Sequence, residues 1–142
     1  MSSTMDRAEI EALFQQLATA HTDHDADAIV EAYAPDAVIY DLAPPLGRRG
    51  MSRDNVAAWL AGWEGPIQID ARDFNLTIEG DLAFVSALNR MRGRQGDEDQ
   101  DIWYRTTTCL RKTGGRWRIV HDHSSVPFYM DGSDRAAVDL KP

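Results

Sequence analysis

Ile102-Trp-Tyr-Arg-Thr-Thr-Thr-Cys-Leu-Arg-Lys-Thr-Gly-Gly-Arg-Trp-Arg-Ile-Val-His-Asp-His-Ser-Ser-Val126 holds two runs rich in β-branched and aromatic residues on either side of Thr113-Gly-Gly115. Such runs about a glycine pair predict two long antiparallel strands joined by a tight turn. Ile67 to Ile78 and Leu82 to about Arg92 repeat the pattern upstream, with Glu79-Gly80-Asp81 as the turn. Four consecutive strands with short connections predict an antiparallel sheet.

The first half of the chain has the helical period instead. Asp6-x-x-Glu9 reads as a capping box, and Ile10, Leu13, Phe14 and Leu17 follow at helical spacing, which predicts a helix over about 6–21. Asp25 or Asp27 caps a second, shorter helix carrying Ile29, Val30 and Tyr33, with Pro35 as its stop. Ala37 to Asp41 reads as a short strand and Pro44, Pro45, Gly47 and Gly50 as a loop. Ser52 then caps a third helix with Val56, Trp59, Leu60 and Trp63 on one side, stopped by Gly65-Pro66. Gly96 to Asp101 reads as a solvated acidic loop. Helices first and a meander of strands after them is an α+β arrangement, three N-terminal helices on a strongly curved antiparallel sheet that encloses a pocket.

At 142 residues, 43% of them apolar, the chain suffices for one core and is short for two, so residues 1–142 are read as a single domain. Its core is expected over about 6–128, with a mobile tail over 129–142. The formal charge of -8, from 15 basic and 23 acidic residues with no basic stripe, argues against nucleic acid and anionic membrane as partners. No run approaches the ~18 apolar residues of a membrane span, and Met1 to Glu9 lacks an apolar signal core. A cytoplasmic protein is expected. Cys109, the single cysteine, excludes an internal disulfide and reads as apolar filling in a strand.

Asp36-Ala-Val-Ile-Tyr-Asp41, followed by a Pro/Gly loop and a helix, resembles the same stretch of ketosteroid isomerases. Gly115-Arg-Trp-Arg-Ile-Val-His-Asp-His-Ser-Ser-Val-Pro127 resembles SnoaL-like proteins and the association domain of calcium/calmodulin-dependent kinase. The resemblance covers about residues 6–128 and implies the NTF2-like cone. It places Asp41 where the isomerases keep a general base. It also puts Leu17 at their oxyanion-hole tyrosine and Thr108 near their protonated aspartate, so both strong donors are missing and steroid isomerisation itself is not implied. Against the kinase domain, Arg90 matches a pocket arginine, while Thr108 and Ser124 replace two others.

Asp41 therefore leads the candidate catalytic residues. It follows Val38-Ile39-Tyr40, where partial desolvation would suit a proton acceptor, or else its carboxylate satisfies backbone N–H groups of the loop. Arg90, Tyr104 and His123 are candidate polarising groups, with Asp41 or Asp122 as the carboxylate that would neutralise a buried Arg90. Strand alternation sends His121 and His123 to one face and Asp122 and Ser124 to the other. Composition favours Trp117, Ile119, His121 and His123 facing inward; the resemblance favours Asp122 and Ser124, and the latter is adopted. On the neighbouring strands Leu88, Arg90, Tyr104, Thr106, Thr108 and Leu110 are then expected inward, with Leu17, Trp59 and Trp63 as apolar wall. The histidine pair lacks the third ligand a zinc site needs, and His21-x-x-His24 reads as cap chemistry, so no metal and no cofactor are expected.

These residues suggest a cofactor-free isomerase, cyclase or dehydratase for an apolar or aromatic carbonyl compound. The alternative is a non-catalytic ligand-binding or self-association module. A homodimer is expected through an outer sheet face carrying Trp103, Thr107, Cys109, Trp117 and Ile119.

Overall fold

The structure, a computed structural model, describes residues 2–142. Its elements are α1 (Ser2–Thr22), α2 (Ala26–Glu31), β1 (Tyr33–Tyr40), β2 (Arg48–Arg49), α3 (Arg53–Ala61), β3 (Trp63–Glu79), β4 (Leu82–Gln95), β5 (Glu98–Thr113) and β6 (Arg116–Ser125). They form one six-stranded sheet in the order β2-β1-β6-β5-β4-β3. All pairings are antiparallel except that of β1 with β6, so the sheet is mixed rather than wholly antiparallel. The reason is topological: β1 precedes the meander and pairs with its last strand, entering in the same direction.

The caps follow the sequence in two of three helices. Asp25 accepts from the Ala28 N–H and Ser52 from the Asn55 N–H, each satisfying an amide that the helix leaves unpaired. Asp6 is not a cap, because α1 begins at Ser2. Tyr33 is not helical but opens β1, and Pro35 sits inside that strand. Proline has no N–H to give a ladder, and it falls where the β1–β6 register slips between Tyr33 and Val38. Trp63 is likewise the first residue of β3, and Gly65-Pro66 lies within that strand, again at a register slip. The expected acidic loop is a two-residue turn at Gly96-Asp97, after which Glu98 to Asp101 already belong to β5.

Ile10, Leu13, Phe14 and Leu17 on one face of α1 meet Leu76, Val85, Leu110, Trp117 and Ile119 of the sheet. A second cluster joins Ala20, Ile29, Leu60, Trp63 and Ile67 where the three helices converge. Residues 129–142, expected to be mobile, are tied back by Tyr129 N–H to Arg135 and Ala137 N–H to Pro127, with Ala137 buried.

Asp6 acts as a latch between α1 and the sheet. Its carboxylate, 4% exposed, accepts from Lys112 Nζ at 2.9 Å and from Trp117 Nε1 at 3.1 Å. The Lys112 bond, helped by the Trp117 bond, holds the Asp6 carboxyl below its ordinary pKa. A lowered pKa means that the unfolded chain takes up the proton first, so this stabilisation is full above the ordinary carboxylate pKa and is lost as pH falls through the folded-state value. Asp6→Ala strands a buried indole N–H and a half-buried ammonium. It is expected to lower the melting temperature at pH 7 far more than Asp23→Ala in the exposed turn after α1. Equal melting temperatures for the two variants would show that Asp6 is not a latch.

Candidate active site

The concave face of the sheet and the three helices surround a cavity of about 1180 Å³. Its lining is set by strand parity. Ala83, Val85 and Ala87 of β4 are buried against α1, so the odd positions of this strand point inward and the cavity is lined by Val85, Ala87, Asn89 and Met91. Leu88 and Arg90, expected inside, point outward. The small residues face in as part of the cluster that includes Ile10, whereas the parity taken from the resemblance had put the even positions inside. Arg90 finds its counter-ion outside: Nε and Nη2 donate to the two oxygens of Asp101 at 2.8 and 2.7 Å, and its guanidinium lies over the Trp103 ring. Neither Asp41 nor Asp122 is its partner.

β5 presents Tyr104, Thr106 and Thr108 to the cavity, as expected. On β6 a bulge reconciles the two competing readings. Leu110 pairs with Ile119 and Cys109 with His121, leaving Val120 as the extra residue. Trp117 and Ile119 therefore point into the core before the bulge, and Asp122 and Ser124 point into the cavity after it. Strict alternation would have forbidden that combination. His123 falls on the outer face, where it and His121 pack edge-on against Tyr40, so it does not reach the cavity. Among the described residues no three His, Cys, Asp or Glu side chains are placed to share a metal ion.

Asp41 lies at the cavity rim, not inside. Its side chain is 44% exposed, accepts from Arg48 Nη2 at 2.6 Å and from the Leu42 N–H at 2.9 Å, and so carries out the loop-satisfying job weighed against the catalytic one. Leu17 and Trp59 line the apolar wall. Trp63 is 5% exposed in the core behind Trp59, its ring 5.4 Å away, and is not part of the lining.

The polar centre of the cavity is Asp122. Tyr33 Oη donates to its Oδ2 at 2.8 Å and Thr108 Oγ1 to its Oδ1 at 3.0 Å. Burial raises the Asp122 carboxyl above its ordinary pKa, the two hydrogen bonds oppose this, and the nearby negative Asp41 adds to the rise. Burial and the Asp122 charge in turn push the Tyr33 hydroxyl far above its ordinary range. The Tyr104 hydroxyl is pushed up to about 12, chiefly by burial. Both phenols therefore stay protonated as donors at neutral pH.

His21, one turn beyond Leu17, also lines the cavity. Its ring meets Trp59 edge-on, Nδ1 lies 2.8 Å from the Leu17 carbonyl, and burial lowers its pKa. Tyr33, Asn89, Met91 and His21 were missed by sequence reasoning. The signal for His21 was present, since it continues the Ile10, Leu13, Phe14, Leu17 stripe of α1.

A sheet wrapped about a cavity behind three helices is the architecture of one large family. The chain belongs to the SnoaL-like domain family, whose model matches residues 10–129. An NTF2-like protein of unknown function from Pseudomonas putida KT2440 shares 32% identity and a TM-score of 0.87, with 99% of each chain covered. A Novosphingobium aromaticivorans structure named "Putative Scytalone Dehydratase" shares 17% identity over 96% of this chain and 95% of that one, TM-score 0.74. A Streptomyces avermitilis structure named as a "putative dehydratase" of the NTF2-like family shares 16% identity over 86% of this chain and 96% of that one, TM-score 0.72. These last two likenesses show the fold alone. No curated protein matches the sequence. Among the described residues no helix is long and apolar enough to cross a membrane.

Proposed function

We propose that the cavity binds an apolar or aromatic carbonyl compound, and that the protein is a cofactor-free isomerase, cyclase or dehydratase in which Asp122 moves the proton. The observation that carries this reading is the Asp122 carboxylate itself. It faces the cavity, is oriented through both oxygens, and sits where burial makes it a better proton acceptor than a solvated carboxylate. Asp41, exposed and paired with Arg48, is better suited to shaping the rim.

In the reaction class proposed, Asp122 takes a proton from carbon next to the ligand carbonyl, and the electron pair of that C–H bond moves onto the carbonyl oxygen. Tyr104, a lining residue whose hydroxyl burial keeps protonated, is the donor for that oxygen. The enolate then collapses by reprotonation at another carbon, by loss of a β-hydroxyl as water, or by attack on a second carbonyl, with Asp122 returning the proton. The shared first step is tested without the natural substrate: α-hydrogen exchange of 2-tetralone in D₂O, followed by NMR, is expected to run faster with the protein than with buffer. No acceleration at any concentration up to solubility would sink the proposal.

We also propose that the protein is a cytoplasmic homodimer. Leu82 and Phe84, each 50% exposed, lie on the outer sheet face with Cys109 opposite Phe84. That patch is smaller than expected, because Trp117 and Ile119 point into the core. Light scattering at micromolar concentration is expected to give twice 15.9 kDa; the mass of one chain would refute it.

A further inference from the structure

We infer that His21 is a binding residue of the cavity that accepts a hydrogen bond from a ligand hydroxyl, so that the ligand is a hydroxylated aromatic or enolic compound rather than a bare carbonyl compound. The inference deepens the proposed function and rests on its placement of the ligand in the main cavity.

The argument starts from the ring's own hydrogen bond. A backbone carbonyl can only accept, so the Leu17 oxygen at 2.8 Å requires the proton to be on Nδ1. In the neutral ring Nε2 then carries a lone pair and no proton. Among the described residues Nε2 has no hydrogen-bond partner, and since it is not one of the buried unpartnered side-chain atoms it is open to the cavity. The ring belongs to the cavity wall, held edge-on against Trp59 and flanked by Leu17 and Ala18. Desolvation by this apolar wall opposes protonation, so the site is an acceptor across the neutral range rather than a cation.

The rest of the wall makes such an acceptor selective. Tyr33 and Tyr104 are donors held protonated, and Tyr33 and Thr108 are already committed to Asp122. A ligand carbonyl finds donors on the sheet side but meets a lone pair at His21, which repels it. A hydroxyl placed on the helix side satisfies Nε2, and an aryl plane beside it packs against Trp59 and Met91, both in the lining. A ligand that covers Nε2 without offering a hydroxyl strips water from the nitrogen and leaves it unpaired, which typically costs about tenfold in affinity.

The test compares 2-naphthol with 2-methoxynaphthalene, which keeps the ring system and lacks the donor, by isothermal titration calorimetry on the wild-type chain. Wild type is expected to bind 2-naphthol about tenfold more tightly. His21→Phe is expected to reduce that preference to within about twofold. His21→Gln, whose amide oxygen still accepts, should retain most of it, which separates lost acceptance from a damaged fold. Nitrogen NMR of the imidazole is expected to show the Nδ1–H tautomer in the free protein. If wild type binds both probes equally, or binds neither, the inference is wrong. If the preference survives in His21→Phe and disappears in Asp122→Asn, the hydroxyl is read by Asp122 and the inference is again wrong, while the proposed role of Asp122 stands. If α-hydrogen exchange fails but the His21-dependent preference is found, the catalytic reading falls and the binding residue remains.

Discussion

Asp122→Asn is expected to slow the protein-dependent exchange of a carbonyl ligand by about 100-fold or more, the usual contribution of a positioned general base, without unfolding the protein. Asparagine has almost the same shape, its amide oxygen can still accept from Tyr33 or Thr108, and it removes a carboxylate that burial disfavours. The pH dependence separates this from a scaffolding role. Because the folded chain holds the Asp122 proton more tightly than the unfolded chain, the native state gains from it fully where both forms are protonated, below the ordinary carboxylate pKa. That gain is lost as pH rises from there through the raised folded-state value, and nothing more changes above it. The variant has no such titration. Its melting temperature relative to wild type should therefore rise across that acidic window and then level off. A melting temperature that drops by many degrees at pH 7, or exchange as fast as wild type, would remove Asp122 from the mechanism.

Which parts of this were legible in the sequence follows from what each signal can see. The strands from Ile67 to Val126 and the caps Asp25 and Ser52 are written in local propensity and turn chemistry, and the sheet and helices follow them. Tyr104, Thr106, Thr108, Asp122 and Ser124 were placed in the cavity correctly because β5 alternates without interruption and the family resemblance fixed the end of β6. Leu88 and Arg90 were expected inside and lie outside, whereas His123 lies on the face that the adopted parity of β6 gave it. Parity along a strand is visible in the sequence, but which parity is inside depends on what packs over the strand, and the cluster that Ile10 joins takes in Ala83, Val85 and Ala87. Tyr33 was hidden by Pro35, which signals a helix end equally well whether the next element starts after it or, as here, two residues before it. Asp41 illustrates a different limit. Its position at the end of an apolar run suggested depth, yet Arg48, seven residues on across the Pro/Gly loop, holds it at the rim, because that loop folds β2 back against β1.

The bulge at Val120 makes Ile119 the pivot between core and cavity, and Ile119→Ala is expected to cost roughly 2 to 5 kcal/mol of folding stability. Ile119 is 0% exposed, pairs with Leu110 on one side and with Tyr33 on the other, and its amide donates to the Ala32 carbonyl at 2.9 Å. Its side chain also touches the cavity, so truncation opens space on two fronts with no solvent to refill the core side. The outward-facing reading of the same residue makes a different demand. A residue buried in a dimer interface contributes stability that depends on protein concentration, because dissociation exposes it before unfolding does. A residue buried within one chain contributes the same amount at every concentration. Urea denaturation of wild type and Ile119→Ala over a hundredfold range of concentration therefore distinguishes them. A constant difference in the stated range is the expected result. A difference below about 1 kcal/mol, or one that shrinks as the protein is diluted, would place Ile119 at an interface. It would also return Trp117 to the outer face and undo the bulge that brings Asp122 into the cavity.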